Sequence, residues 1–123
     1  MRPLDGIKVV ELGVYVAVPG LTRLFSDWGA DVIKVEPPKG DSCRYSGAQA
    51  RMPIKPDCNL TFSIANSGKK LIGIDLKTPE GLEVMDQLGK MGGGRLGACI
   101  YHHTAHVLIQ PVQGINVTAQ LFF

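Results

Sequence analysis

The order of apolar runs and helix signals near the N-terminus is the feature that most constrains the fold. Residues 7–12, IKVVEL, form a short run rich in β-branched residues, which predicts a strand covered on both faces. Residues 31–36, DVIKVE, predict a second strand. Between them, Pro19 suits the first turn of a helix and Gly29 suits its C-terminal cap. A strand, a helix and a strand in this order predict a βαβ unit with a parallel sheet and a right-handed crossover.

The helix between these two strands carries an apolar stripe. Residues 13–18 are expected to form the turn that precedes it. Four apolar residues then follow at the spacing i, i+3, i+4 and i+7: Leu21, Leu24, Phe25 and Trp28. This spacing places all four on one helical face, as in an amphipathic helix that packs against a sheet.

A third strand and a second helix are predicted further along the chain. Residues 71–76, LIGIDL, predict the strand. Thr78 then suits the N-cap, Pro79 the first helical position, and Glu80 the positive end of the helix dipole. The apolar face of this helix consists of Leu82, Met85 and Leu88. Together the three strands predict an α/β fold.

Lys77 stands where the third strand gives way to this helix. Open α/β sheets bind their ligands at the carboxyl ends of their strands. A cation beside a helix N-terminus is unfavourable unless it meets an anion, and the ammonium group and helix N–H groups can both donate to one phosphate. The same reasoning extends to Lys69 and Lys70, which otherwise count as ordinary solvated charges.

Two other candidate sites around the second strand have simpler interpretations. Glu36 ends the strand and could bind a ribose, but the turn ELGVYVAVPG lacks the G-x-G-x-x-G pattern of dinucleotide sites. Glu36 is therefore interpreted as a solvated strand end. Cys43 has Arg44 beside it, which could lower a thiol pKa, but no histidine is near in sequence to act as its base. We interpret it as an ordinary loop cysteine. The surrounding region, 37–61, has four prolines and no sustained periodicity, which predicts a long loop that serves a site or a partner.

Composition excludes several classes of function. The 123 residues correspond to one domain or a piece of one, and the net charge of +2 comes from 13 basic and 11 acidic residues spread along the chain. This argues against a nucleic-acid or membrane surface. No apolar run is long enough for a transmembrane helix or resembles a signal peptide, so a cytoplasmic location is expected. Cys43, Cys58 and Cys99 are interpreted as free thiols.

Residues 91–123 differ in character from the rest of the chain. They contain a glycine run, no acidic residue and one basic residue, Arg95. The fragments HVLIQPV and INVTAQLFF could be strands, although Pro111 weakens the first. An i, i+4 pair among three histidines would bind a metal only on a helix, and exposed histidines are the preferred interpretation: His102, His103 and His106. No metal site is predicted.

Three blocks of the chain together resemble a known family. "PLDGIKVVEL", "DWGADVIKVEPPKGD" and "NSGKKLIGIDLKTPEG" are similar to the N-terminal signature of the class III CoA-transferases, a superfamily that includes formyl-CoA transferase, carnitine CoA-transferase and alpha-methylacyl-CoA racemase. The resemblance covers residues 3 to about 90, in the same order and spacing. Within the superfamily, the second block is most similar to transferases of 2-hydroxyacyl and arylacyl thioesters.

The resemblance implies a fold and an assembly. Residues 1–90 would be the N-terminal part of a large domain with a partial Rossmann-like parallel sheet, and residues 91–123 an atypical or disordered tail. A truncated gene or a change of reading frame near codon 91 would explain that tail. Full-length family members are interlocked homodimers, so a fragment would expose apolar faces and sheet edges and would aggregate or seek partners.

The resemblance also implies which residues contact CoA. Four positions match, and they would hold its adenosine and phosphate part: Val16, Ala17, Ile74 and Lys77. The chain departs from the family at three places. Val18 replaces a common glycine, Val16 stands where some members have glutamine, and Pro37 stands where some have arginine.

The family mechanism uses an aspartate that lies downstream of any residue here. That carboxylate attacks the acyl thioester to give a mixed anhydride, CoA thiolate returns to form an enzyme-bound thioester, and the acceptor acid then takes up CoA. None of the eleven carboxylates matches it, so no catalytic residue is predicted and the isolated chain is expected to be inactive. The expected substrates are acyl-CoA and a carboxylic acid, with no permanently bound cofactor. The alternatives are an acyl-CoA racemase fragment and a stand-alone nucleotide-binding or interaction module.

Overall fold

A three-stranded parallel sheet organises the protein. The computed structural model describes residues 1–47, 52, 55 and 59–90, together with the backbone of 105–109 and 117–121. The strands of the sheet are β1 (Lys8–Glu11), β2 (Asp31–Glu36) and β3 (Lys70–Gly73), in the order β1-β2-β3. Both strand pairs are parallel, with Val9 opposite Val32 and Ile33 opposite Lys70. The predicted α/β class, with its parallel βαβ unit, is confirmed.

Three helices accompany the sheet: α1 (Ala17–Asp27), α2 (Leu60–Asn66) and α3 (Pro79–Lys90). The predicted end of α1 is confirmed, because Gly29 has a φ of 104° and Ala30 N–H donates to the Phe25 carbonyl at 2.9 Å. The predicted N-cap of α3 is confirmed as well. Its Thr78 Oγ1 accepts from Gly81 N–H at 3.1 Å.

The region predicted as one long loop, 37–61, contains a 3₁₀ turn and the first two residues of α2. A 3₁₀ turn spans Ser42–Tyr45, and α2 begins at Leu60. The Asn59 side chain caps α2 by accepting from Phe62 N–H at 3.1 Å. The loop prediction was therefore wrong for these segments, because a seven-residue helix is too short to show a helical period in sequence.

The third strand is shorter than predicted. It ends at Gly73, although Ile74 N–H still donates to the Glu36 carbonyl at 2.9 Å. The chain then turns, because the Asp75 carboxylate accepts from Lys77 N–H at 3.0 Å and the Asp75 carbonyl accepts from Thr78 N–H at 3.2 Å. Local side-chain hydrogen bonding thus ends the strand before Leu76, and the predicted range of 71–76 is corrected to 70–73.

The sheet separates two apolar clusters, as expected where adjacent strand residues point to opposite faces. The buried members of the first are Val9, Val18, Ala30 and Val32, with Leu21 and Phe25 of α1 packed against them. The buried members of the second are Val10, Val35 and Ile74, with Met85 and Leu88 of α3 packed against them. Helices α1 and α3 therefore cover opposite faces of the parallel sheet.

The apolar stripe of α1 packs only in part. Two of its four members contact the first cluster, but Leu24 and Trp28 are about half exposed, at 47% and 49%. Polar residues occupy buried positions instead. Thr22 Oγ1 donates to the Glu11 carboxylate at 2.6 Å, and Ser26 Oγ donates to the Gly68 carbonyl at 3.0 Å. Buried polar partners on neighbouring elements thus decide which face of the helix turns inward.

The tail contains the two predicted strands. β4 (Ala105–Ile109) and β5 (Val117–Leu121) pair antiparallel as a separate two-stranded sheet, with His106 opposite Gln120. His106 therefore lies on a strand and not on a helix, while His102 and His103 fall outside the described residues. Over the residues the structure describes, no cluster of three metal-ligating side chains occurs and no helix is long and apolar enough to cross a membrane.

Candidate functional site

The carboxyl ends of the three parallel strands meet at one edge of the sheet, and three loops leave from it. They comprise residues 12–16 after β1, 37–45 after β2 and 74–78 after β3. Ligands of open α/β sheets bind outside this edge. All four predicted CoA contacts lie in these loops or at the first residue of α1.

The turn after β1 presents two of these predicted contacts to solvent. Val16 is the N-cap residue of α1 and Ala17 is its first residue, and both side chains are exposed. No side chain caps the helix at Val16. The first N–H groups of a helix have no partner within the helix, and its positive dipole end favours anions. The start of α1 can therefore donate to an anionic ligand.

The other two predicted contacts follow β3. Lys77 is exposed and lies two residues before the first residue of α3. The Ile74 side chain is 7% exposed and packs with Val10 and Val35 in the second cluster. Lys77 thus has an ammonium group available to a ligand, whereas Ile74 offers little side-chain surface. Both assignments to CoA remain predictions.

Val18, one of the departures from the family pattern, is accommodated by a glycine. Its side chain is buried and lies against Gly13, where an added Cβ would overlap the valine methyl groups. Only glycine at position 13 leaves room for this approach. Gly13 therefore lets the turn after β1 close against the buried Val18 side chain.

A buried lysine joins the first two strands to the turn between them. Lys34 Nζ donates to Glu11 Oε1 at 2.7 Å and to the Gly13 carbonyl at 2.6 Å, and lies 2.9 Å from Asp41 Oδ2. The side chains of all three charged residues are fully buried. The ammonium group has three protons, so these three partners satisfy it completely.

A second buried lysine corrects the prediction that Lys69 is a solvated charge. Lys69 Nζ donates to Glu11 Oε2 at 2.8 Å, to the Pro19 carbonyl at 2.7 Å and to Asn66 Oδ1 at 3.0 Å, and its side chain is fully buried. Burial lowers its pKa to about 8, although the Glu11 carboxylate opposes the shift. With every donor taken by protein, Lys69 does not contact a phosphate. Lys70, by contrast, is exposed and pairs with Asp31.

Asp41 completes what we term the buried ionic network, which consists of Glu11, Lys34, Asp41 and Lys69. Its carboxylate accepts from Cys43 N–H at 2.8 Å and from Tyr15 N–H at 3.0 Å. Burial raises the pKa of Asp41, but these hydrogen bonds and the Lys34 charge outweigh that effect, so the pKa lies below its usual range. Two carboxylates and two ammonium groups give the network no net charge.

The interpretation of Glu36 as a solvated strand end was wrong. Glu36 is 5% exposed and receives two hydrogen bonds of 2.8 Å from Arg44, from Nε and Nη2. Burial raises its pKa, but Arg44, the Asp41 N–H group and the Lys34 charge together lower it below the usual value. The Arg44 guanidinium also lies 3.8 Å from the centre of the Phe62 ring.

A shallow groove of about 430 Å³ lies beside this ion pair at the same edge of the sheet. It is lined by residues of the loop after β2, among them Lys39, Arg44 and Tyr45, and by Leu71–Gly73 of β3. The four predicted CoA contacts are not among its lining residues. Among the described residues, the carboxyl edge of the sheet thus presents the groove and, apart from it, the exposed start of α1.

Cys43 is an inert thiol, as the sequence suggested. It is fully buried beside Asp41. Burial raises the pKa of the thiol, and the negative charge of Asp41 raises it further. Cys58 and Cys99 lie outside the described residues.

Sequence reasoning missed the buried ionic network, although the sequence held a signal for it. Glu11 and Lys34 are charged residues within two mostly apolar runs, the first of which was predicted to be covered on both faces. A charge at a covered position must find an opposite charge, since an unpaired buried ion is strongly unfavourable. Glu11 and Lys34 have opposite charges and lie on two strands that were predicted to share a parallel sheet, so their pairing could have been inferred.

Comparison with known proteins places the chain in a family. The sequence model of CoA-transferase family III matches residues 4–91. The chain is 41% identical over 85 residues to (R)-2-hydroxy-4-methylpentanoate CoA-transferase of Clostridioides difficile, covering 69% of this chain and 21% of the relative. It is 46% identical over 88 residues to succinyl-CoA–D-citramalate CoA-transferase of Chloroflexus aurantiacus, covering 71% and 21%.

A solved structure agrees with these sequence matches. The chain is similar to a CAIB/BAIF family protein from Brucella suis, with a TM-score of 0.65 and 39% identity over 73% of this chain and 24% of that one. The chain thus spans about a fifth of the length of the curated relatives described above.

Proposed function

This chain belongs to CoA-transferase family III, and we propose that its described part binds CoA within an enzyme that moves CoA between an acyl-CoA thioester and a free carboxylic acid. The observation that carries the proposal is the shared position of the α1 start and Lys77 at the carboxyl edge of the sheet. The names of the two relatives specify different acids, but both name a CoA-transferase. A segment similar to both is therefore best explained by the shared ligand.

The proposed roles follow from exposure and charge. Lys77 and the first N–H groups of α1 would donate to CoA phosphates. The start of α3 is less suited to this role, because Pro79 has no N–H and the Gly81 N–H already donates to Thr78 Oγ1. Val16 and Ala17 would pack against apolar parts of the ligand. Ile74 would contribute the small exposed part of its side chain and its backbone. No permanently bound cofactor is proposed, and the complete enzyme is proposed to act as a homodimer.

We further propose that the nucleophile of the transfer is an aspartate that this chain does not supply. The carboxylate attacks the thioester carbonyl and expels CoA thiolate, which leaves a mixed anhydride. The thiolate then attacks the enzyme-derived carbonyl and releases the acid. The acceptor acid then attacks the resulting enzyme thioester, which gives a second anhydride and frees CoA thiolate. The thiolate attacks the carbonyl derived from the acceptor, which forms the new acyl-CoA and regenerates the aspartate carboxylate. The buried carboxylates of Glu11, Glu36 and Asp41 are each held by at least one cation and by further hydrogen-bond donors, the Thr22 hydroxyl for Glu11 and backbone N–H groups for the other two, which makes them poor nucleophiles.

Isothermal titration calorimetry of the chain with CoA and, separately, NAD tests the proposal. We expect saturable CoA binding and much weaker NAD binding, although NAD also contains adenosine and a pyrophosphate. A response to NAD equal to or stronger than that to CoA would support the stand-alone nucleotide-binding module instead. The companion assay follows CoA exchange between an acyl-CoA and free acids, where we expect no turnover above background; measurable turnover would contradict the missing nucleophile.

A further inference from the structure

Tyr15 adopts a backbone conformation that its residue type disfavours. Its φ is 70°, and it is the one non-glycine residue with a positive φ among the described residues. Bulky side chains rarely adopt this left-handed region, and such outliers persist when the surrounding structure fixes them. Tyr15 directly precedes Val16 and Ala17, the two residues that the turn presents at the edge of the sheet. Its conformation therefore determines where the start of α1 lies.

Asp41 is the residue that fixes this conformation. Tyr15 N–H donates to both carboxylate oxygens of Asp41, at 3.0 and 3.2 Å. The carboxylate is itself held by Lys34 Nζ at 2.9 Å and Cys43 N–H at 2.8 Å, and Asp41 is fully buried. An asparagine has one acceptor oxygen and no charge, so it could not serve all three donors equally well.

The backbone on both sides of Tyr15 is tied to the same network. Lys34 Nζ donates to the Gly13 carbonyl at 2.6 Å, and Lys69 Nζ donates to the Pro19 carbonyl at 2.7 Å. The chain is thus held before, at and after the strained residue by three side chains that are far apart in sequence, Lys34, Asp41 and Lys69. A turn fixed at this many points has the rigidity that a preorganised binding site requires.

We propose that Asp41 is a positioning residue for CoA binding: by holding Tyr15 in the left-handed conformation, it sets the α1 start for the ligand. This inference rests on the proposed CoA function of the same turn. Asp41 is buried and does not touch the ligand. Its effect on affinity passes through the backbone of residue 15.

A double-mutant cycle tests the inference. We expect Asp41→Asn to weaken CoA binding about tenfold in calorimetry. Glycine accepts a φ near 70° without strain. In a Tyr15→Gly background the same Asp41→Asn substitution should therefore change affinity by less than about twofold. Equal losses in the two backgrounds would show a merely structural role and overturn the inference, and so would the absence of any loss.

Asn59→Ala provides the matched control. Asn59 is buried, caps α2 and donates to the carbonyls of Arg44 and Ser46 on the same loop as Asp41, but it does not contact the turn. The substitution removes buried hydrogen bonds and should leave CoA affinity unchanged. A tenfold loss of CoA affinity in Asn59→Ala would show that the Asp41 effect is general destabilisation, and it would reject the inference.

Amide hydrogen exchange separates the failure of this inference from that of the proposed function. In the unmodified chain, we expect the Tyr15 amide to exchange at least about tenfold more slowly than the Ala17 amide. This measurement needs neither CoA nor a folded variant. Equal rates would refute the positioning role whatever the ligand. Slow exchange at Tyr15 without CoA binding would support the hold of Asp41 on the Tyr15 backbone but reject the proposed function, and with it the role of that hold in CoA binding.

Discussion

Lys34 Nζ lies 2.7 Å from Glu11 Oε1 between two adjacent parallel strands, and both side chains are fully buried. Lys34 and Lys69 bracket the Glu11 carboxylate, one on each oxygen. Over the described residues, every buried side-chain nitrogen and oxygen atom has a partner. The sheet therefore tolerates charge at its centre because the charges satisfy one another, and the loss of one partner should be costly.

Lys34→Met should destabilise the protein by about 3–5 kcal/mol, since it leaves the Glu11 and Asp41 carboxylates buried with one cation fewer. Urea unfolding followed by circular dichroism measures the change. Lys70→Met is the control, because the Lys70–Asp31 pair is exposed and should contribute at most about 1 kcal/mol. Similar losses in both variants would contradict the assigned importance of burial.

The stability difference between the unmodified chain and Lys69→Met should rise with pH above about 8. The pKa of Lys69 is lowered to about 8 in the folded protein, and an unfolded lysine has a pKa of about 10.4. Between these values the unfolded chain binds more protons, so this group makes stability increase with pH, by up to about 1.4 kcal/mol per pH unit. Urea titrations at pH 7.5, 8.5 and 9.5 test this; a flat or falling difference would refute it.

Glu36→Gln should make the free energy of unfolding fall less steeply as pH is lowered into the acid range. The folded pKa of Glu36 is lowered, so its contribution is present above the unfolded pKa of about 4.3 and is lost as pH falls through the folded pKa. At neutral pH the variant should lose about 2 kcal/mol, because Arg44 keeps a weaker, uncharged partner. As pH falls below the unfolded pKa, the stabilities of the two proteins should approach each other. Parallel curves for the two proteins down to pH 3 would contradict the assignment.

Gly81→Ala should destabilise the protein by about 2 kcal/mol, although alanine favours helices. An added Cβ at position 81 would overlap the Asp75 carbonyl oxygen in the turn that precedes α3. Gly89 lies in the same helix with no atom near the corresponding position. Gly89→Ala should therefore stabilise by up to about 1 kcal/mol. Thermal unfolding of both variants measures the contrast, and equal effects would reject the close approach at Gly81.

Lys77→Ala should weaken CoA binding about tenfold, because it removes a charged donor to phosphate. The remaining binding should depend less steeply on sodium chloride concentration. Lys90→Ala, at the opposite end of α3, is the matched control, since Lys90 pairs with Asp86 on the helix surface. An unchanged affinity in Lys77→Ala would remove this lysine from the proposed site.

The sequence by itself determined the strands, the helix ends and the edge at which the loops gather. The period of apolar residues, Gly29 and the Thr78–Pro79 pair act over a few residues, so their effects can be read locally. The resemblance to the CoA-transferases likewise rests on contiguous motifs. The short helix α2 escaped prediction because seven residues are too few to show a helical period, and the early end of β3 because the Asp75 turn interrupts an apolar run.

Only the tertiary structure decided which charges are buried and what they hold in place. The Lys34–Glu11 pair joins residues 23 positions apart, and the Lys69–Glu11 pair joins residues 58 apart. A lysine in the sequence is the same whether water or a carboxylate surrounds it, so only the packed strands showed that Lys69 is buried and Lys77 exposed. The energy of a charge depends on its surroundings in space, and these form only when distant segments pack.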